Sequence, residues 1–133
     1  MSEPAARRTR PRDALGRPLD WDAVGVPPVD DSPRPPIETL DAARALIASG
    51  RPFAAHEVLE GRWKSCPEAE RGLWQGLAQL AVALTHAGRG NARGASRLVE
   101  RGAGRLAEYE ATSGPTYGLD LGRVVAGVRR AVG

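Results

Sequence analysis

The sequence predicts an all-α fold, a compact bundle of about five helices built from helical hairpins, on three observations. From Ile37 onward apolar residues recur at helical spacing, and no segment shows the period-two alternation of a half-buried strand. The 17 residues from Gly72 to Gly88 contain no charged side chain, as expected of a helix surrounded by others. Turn residues punctuate the periodic segments at Gly50, Pro52, Pro67, Gly88–Gly90 and Ser113–Pro115.

The elements follow in order. A first helix is expected over roughly Glu38 to Ser49, with Leu40, Ala43, Leu46 and Ile47 on one stripe and Gly50 as its stop. Pro52 suits the first turn of a second helix, where a missing N–H breaks no intrahelical bond. That helix should end near Lys64 or Ser65, because Pro67 disfavours helical geometry at Cys66. The third helix is expected to restart at Pro67, with Glu68 and Glu70 in a first turn whose dipole favours acids, and to run to about Ala87. Asn91 is the expected N-cap of a fourth helix reaching about Thr112, in which Gly94, Gly102 and Gly104 cost helix stability in return for close helix contact. A fifth helix starts near Leu119, and Leu121, Val124, Val125, Val128 and Val132 form its docking stripe. Two loosely matching hairpins, Ala45-Leu46 to Leu59 and Ala83-Leu84 to Leu98, are too few for a repeat array.

Residues 1–36 are expected to form a proline-rich, partly basic tail, disordered or extended, ahead of a helical domain over 37–133. The tail holds eight of the 11 prolines and a single aromatic, Trp21, too little apolar surface to offset the entropy of ordering it. It is expected to lie across the domain, if anywhere, through Leu15, Leu19 and Trp21. Its basic end, Arg7, Arg8, Arg10, Arg12 and Arg17 against Glu3 and Asp13, raises a nucleic-acid arm as the alternative.

The formal charge is +3 with 19 basic residues, of which only Lys64 is a lysine. Arginine, alanine and glycine enrichment together reflect GC-rich coding as well as they reflect phosphate binding. No arginine cluster interleaves with aromatics, so the sequence argues against a nucleic-acid partner. Cys66 is the one cysteine, which excludes an internal disulfide framework. No N-terminal stretch has the layout of a secretory signal, and the charge-free run carries two glutamines, a threonine and a histidine, so a cytoplasmic protein without membrane association is expected.

Chemistry concentrates on two helices. On the second, a sector at 100° per residue holds Phe53, His56, Leu59, Glu60 and Trp63, with Glu57 on its flank. His56 and Glu60 stand four apart, the spacing at which a carboxylate hydrogen-bonds an imidazole on the same face. On the third, Leu73, Leu77, Leu80 and Leu84 make one stripe and Gln75, Gln79, Val82 and His86 another almost opposite. Each buried polar group there costs on the order of 1–3 kcal/mol unless paired, so a network or a ligand is required. The simplest arrangement turns Gln75, Gln79 and His86 toward His56 and Glu60.

Several uses of such a site stay open. A hydrogen-bonded cluster that only fixes helix register is one, and a small-molecule pocket is another. A metal site would use His56, Glu60 and His86, with Glu57 as a further candidate; which metal or cofactor is unknown. His56-Glu57-Val58-Leu59-Glu60 ends in a carboxylate where a zinc-protease helix needs a second histidine. As catalysts, His56 and Glu60 would be a base and its orienting group for acid–base or metal-assisted hydrolysis. No serine or cysteine is tied to them by a motif, so a binding module leads over an enzyme and over a helical protein-interaction scaffold. Gly88 to Gly94 is not a dinucleotide loop, since its third glycine falls one residue late and no strand precedes it.

Ala55-His56-Glu57-Val58-Leu59-Glu60, Trp63, Gln75-Gly76-Leu77, Gln79-Leu80-Ala81-Val82-Ala83, His86 and Arg89-Gly90-Asn91-Ala92-Arg93-Gly94-Ala95 together resemble the DUF309 family of small bacterial and archaeal helical proteins. The resemblance covers roughly Leu40 to Leu106. It implies an all-helical bundle of unassigned biochemical role and marks His56, Glu57, Glu60, Trp63, Gln75, Gln79, His86 and Asn91 as positions to watch.

Overall fold

A computed structural model describes residues 11–19, 25–27, 30 and 32–133. Among them are five α-helices: α1 Pro36–Ala48, α2 Pro52–Ser65, α3 Arg71–Gly88, α4 Ala92–Ala111 and α5 Leu121–Val132. The expectations for Trp21, Arg7, Arg8 and Arg10 lie outside the described residues.

Local chemistry sets most boundaries. Pro36 and Pro52 open α1 and α2. Gly50 adopts φ +77° after α1, its N–H bonding to the Ile47 carbonyl while Arg51 N–H reaches the Leu46 carbonyl, the paired closure that only a left-handed residue permits cheaply. Gly90 closes α3 in the same way, with φ +82° and bonds from Gly90 to Ala87 and from Asn91 to His86. Cys66 is extended ahead of Pro67, as predicted, but α3 does not begin there. A one-turn 3-10 helix over Glu68–Glu70 intervenes, and α3 starts at Arg71. Glu70, the last residue of that turn, is buried.

α3 is the centre of the bundle and packs against α2, α4 and α5. Its buried residues, among them Leu73, Trp74, Leu77, Leu80 and Ala83, cover roughly 220° of the helix, and Gln75, Gln79, Val82 and His86 on the remaining side are half-buried, which explains the absence of charge along it. Two glycines bring α3 and α4 close together. A Cβ on Gly102 would stand 2.9 Å from Leu80 Cδ2 and 3.0 Å from the Gly76 carbonyl, and one on Gly76 would stand 2.8 Å from Leu106. These two glycines let the helices touch nearly backbone to backbone. Gly104 faces open space and Gly94 faces its own capping residue, so of the three α4 glycines only Gly102 serves close helix packing.

α2 is turned from its expected orientation. Its buried residues are Pro52, Ala54, Ala55, Val58 and Leu59, so of the predicted inward sector only Leu59 is buried, and Phe53, His56, Glu60 and Trp63 lie on the half-buried flank. The rotation amounts to about one residue, roughly 100°. Bulky side chains dominate a sequence pattern, whereas Ala54 and Ala55 are what allow α2 to sit close against its neighbours α1 and α3.

α5 begins two residues later than expected. Leu119 N–H bonds to the Thr116 carbonyl in a turn, Tyr117 and Gly118 take φ +53° and +85°, and Asp120 caps the helix by accepting from Arg123 N–H at 3.1 Å. Before α1, residues 11–19 fold back on themselves with a bridge between Arg12 and Pro18. The Asp13 carboxylate accepts from the N–H groups of Leu15 and Arg17 and pairs with the Arg17 side chain at 2.7 Å. This loop rests on the bundle: Arg89 donates to the Leu15 carbonyl at 2.7 Å, and Arg12 lies 5.7 Å over the Phe53 ring. No helix among the described residues is long and apolar enough to cross a membrane.

Candidate functional site

His56 and Glu60 meet as their spacing predicts, with His56 Nε2 2.8 Å from Glu60 Oε2. The other carboxylate oxygen pairs with Lys64 Nζ at 2.7 Å, one further turn along α2. The Lys64 hydrogen bond, aided by the neighbouring His56 ring, holds the Glu60 carboxyl below the usual glutamate range against the opposing effect of burial. Phe53 covers the imidazole from the preceding turn, ring centroids 5.5 Å apart at 49°.

This row faces the chain preceding α1. With Glu57, Gly61 and Ser65 it forms one wall of a cavity of about 630 Å³, and Ser32 and Pro33 form the other. His56 Nδ1 is buried and has no hydrogen-bond partner. An imidazole nitrogen in that state costs on the order of 1–3 kcal/mol relative to a paired one.

The α3 polar residues go elsewhere. Gln79 opens on a depression shared with Glu100, Arg101, Gly104, Arg105 and Glu108 of α4, and its Oε1 is buried without a partner. Gln75 is half-buried and does not line the His56 cavity. His86 is joined to Asn91: the Asn91 amide nitrogen lies 3.1 Å from His86 Nδ1 while its Oδ1 accepts from Gly94 N–H at 2.9 Å. That second bond orients the amide, so the nitrogen donates and Nδ1 accepts. His86 and Asn91 thus lock the α3–α4 corner. Trp63 stacks under Arg71 at 5.7 Å. The eight predicted positions therefore divide among separate places, because the turn of α2 carries His56 and Glu60 off the α3 interface. Among the described residues no three His, Cys, Asp or Glu side chains are grouped to hold a metal ion, so His56, Glu60 and His86 do not form a ligand set.

A second polar cluster has no counterpart in the predicted sites. Glu70 Oε1 accepts from Trp74 Nε1 at 3.1 Å and from the Tyr117 hydroxyl at 2.8 Å, and Arg62 Nη2 lies 3.6 Å away. Arg62 also stacks 5.4 Å from the Trp74 ring centroid. Burial, then the bond to Glu70, pushes the Tyr117 phenol above its ordinary value, and burial likewise raises the Cys66 thiol nearby, which keeps it protonated and a poor nucleophile. The one signal for this cluster was an acid in a proline-initiated turn four residues before a tryptophan. Its partner Tyr117 is 47 positions away in sequence.

Residues 40–98 match the model of DUF309, a domain of unknown function. Over that segment the chain is similar to the DUF309 family. It runs from α1 into α4 and holds His56, Glu60, Glu70, Gln79, His86 and Asn91, while Tyr117 and α5 lie beyond it. The chain is also similar to the Uncharacterized protein YpuF of Bacillus subtilis (strain 168), 42% identical over 74 residues, which is 55% of this chain and 42% of the relative. The chain thus spans less than half the length of that relative. No solved structure matches.

Proposed function

We propose that this protein is a small-molecule binding module whose ligand occupies the cavity between α2 and residues 32–33. The observation that carries the reading is the cavity wall itself, in which the His56–Glu60 pair stands beside Glu57, Lys64 and two serines. The cavity lies within the size range of small-ligand sites, roughly 300–1,000 Å³. Its lining offers an imidazole, carboxylates, an ammonium, two serine hydroxyls and an aromatic face, which suits a polar ligand with both donors and acceptors.

Hydrolysis draws less support. Both Glu60 oxygens are engaged, and the nitrogen left to act as a base is shielded. The test is a thermal-shift screen of amino acids, polyols and nucleosides, followed by 15N spectra of the histidine rings. A ligand of this site raises the midpoint, moves the His56 ring signals, and loses its effect in a folded His56→Ala protein. Global unfolding of His56→Ala, or ligand stabilisation that survives it, would assign the pair a structural role instead.

A further inference from the structure

We infer that a second cavity, between α1, α3 and α5, binds a short aliphatic carboxylate, with the tail among the apolar side chains and the carboxylate on Arg44. The cavity measures about 210 Å³ and Arg44 is its single charged lining residue. Leu59, Leu77 and Leu80 make a buried floor, while Ile47, Val124 and Val128 form a partly exposed rim. Ile47 is 41% exposed, high for an isoleucine beside an apolar cavity.

Water finds almost no polar partner on such a lining. A closed apolar cavity of about 150 Å³ stays dry and takes up benzene, so this larger, open one suits a tail of roughly six to eight carbons. Arg44 decides the head group. It is exposed at the rim and has no hydrogen bond or ion pair among the described residues, so its guanidinium is available to form a bidentate contact with a carboxylate. An alkylammonium of the same length would meet like charge there. No wall residue is shared with the His56 cavity, so the inference stands independently of the function proposed above.

Titration of the full chain with sodium butyrate, hexanoate and octanoate, followed by methyl NMR, tests it. Saturable shifts are expected at Leu80, Val124 and Val128, with affinity rising about fourfold per added methylene until the cavity is filled. Octylammonium should bind at least about tenfold more weakly than octanoate, and Arg44→Gln should reduce octanoate binding about tenfold while leaving the circular dichroism spectrum unchanged. Val128→Phe should block the rim; if it fails to fold, Leu84→Phe on the opposite wall serves the same purpose. Equal binding of octanoate and octylammonium, indifference to Arg44→Gln, or no saturable shift below the micellar range would overturn the assignment. So would sedimentation showing a dimer that covers this face and excludes octanoate.

Discussion

Tyr117 donates its hydroxyl to the buried carboxylate of Glu70 at 2.8 Å, joining the α4–α5 connection to the turn that starts α3. Tyr117 has a left-handed backbone with φ +53° and lies against Trp74, ring centroids 6.0 Å apart. A left-handed tyrosine is a strained residue, retained where its surroundings over-determine it. Tyr117→Phe keeps the ring contact and deletes the bond to a largely desolvated acceptor. The expected loss is about 1–2 kcal/mol in urea unfolding. Glu70→Ala should cost more, because it strips the partner from Trp74 and Tyr117 together and leaves the half-buried Arg62 without its nearest acid.

The glycines of α4 should respond in opposite directions. Gly102→Ala drives a methyl into Leu80 and the Gly76 carbonyl, and the expected destabilisation is about 1–3 kcal/mol. Gly104→Ala meets nothing within 4 Å in a helix interior and should stabilise by about 0.5–1 kcal/mol. Thermal midpoints of the two variants, measured together, check the sign of each.

Asn91 caps α4 and orients His86. Asn91→Ala removes the acceptor for Gly94 N–H and should cost about 0.5–2 kcal/mol, whereas Asn91→Asp retains the cap. The aspartate cannot donate to His86 Nδ1, so the His86 ring resonances should shift in both variants while stability falls mainly in the first. Equal stability of Asn91→Ala and the parent would remove the cap from the account.

The pH dependence expected of Glu60 follows from its lowered folded-state value. A carboxyl that holds its proton less tightly when folded stabilises the fold at pH values above its unfolded pKa. That contribution fades as the pH falls below the ordinary value near 4.5 and is gone once the folded group itself is protonated. The unfolding free energy should therefore decline on acidification through this range, and Glu60→Gln should decline less steeply. Identical slopes for both proteins would refute a stabilising Lys64–Glu60–His56 row.

Helix positions in this chain are legible because their causes are local. Gly50 and Gly90 close helices through their own φ, Pro52 opens one, Asn91 caps one with its own side chain, and the i,i+4 pairing of His56 with Glu60 is a property of one helix. The uncharged stretch of α3 reflects burial over most of the helix and half-burial over the rest, so its central place was also readable.

Which way each helix faces was decided only by packing. Ala54 and Ala55 turn inward on α2 because small residues let it approach α1 and α3, and that rotation moves His56 and Glu60 out toward residues 32–33 and away from Gln75, Gln79 and His86. The 3-10 turn before α3 and the Glu70–Tyr117 bond depend on side chains far apart in sequence. The sequence alone determined five helices, most of their ends and one pairing within a helix. Contacts between helices, whose energies depend on shape and distance in space, decided which polar groups share a site.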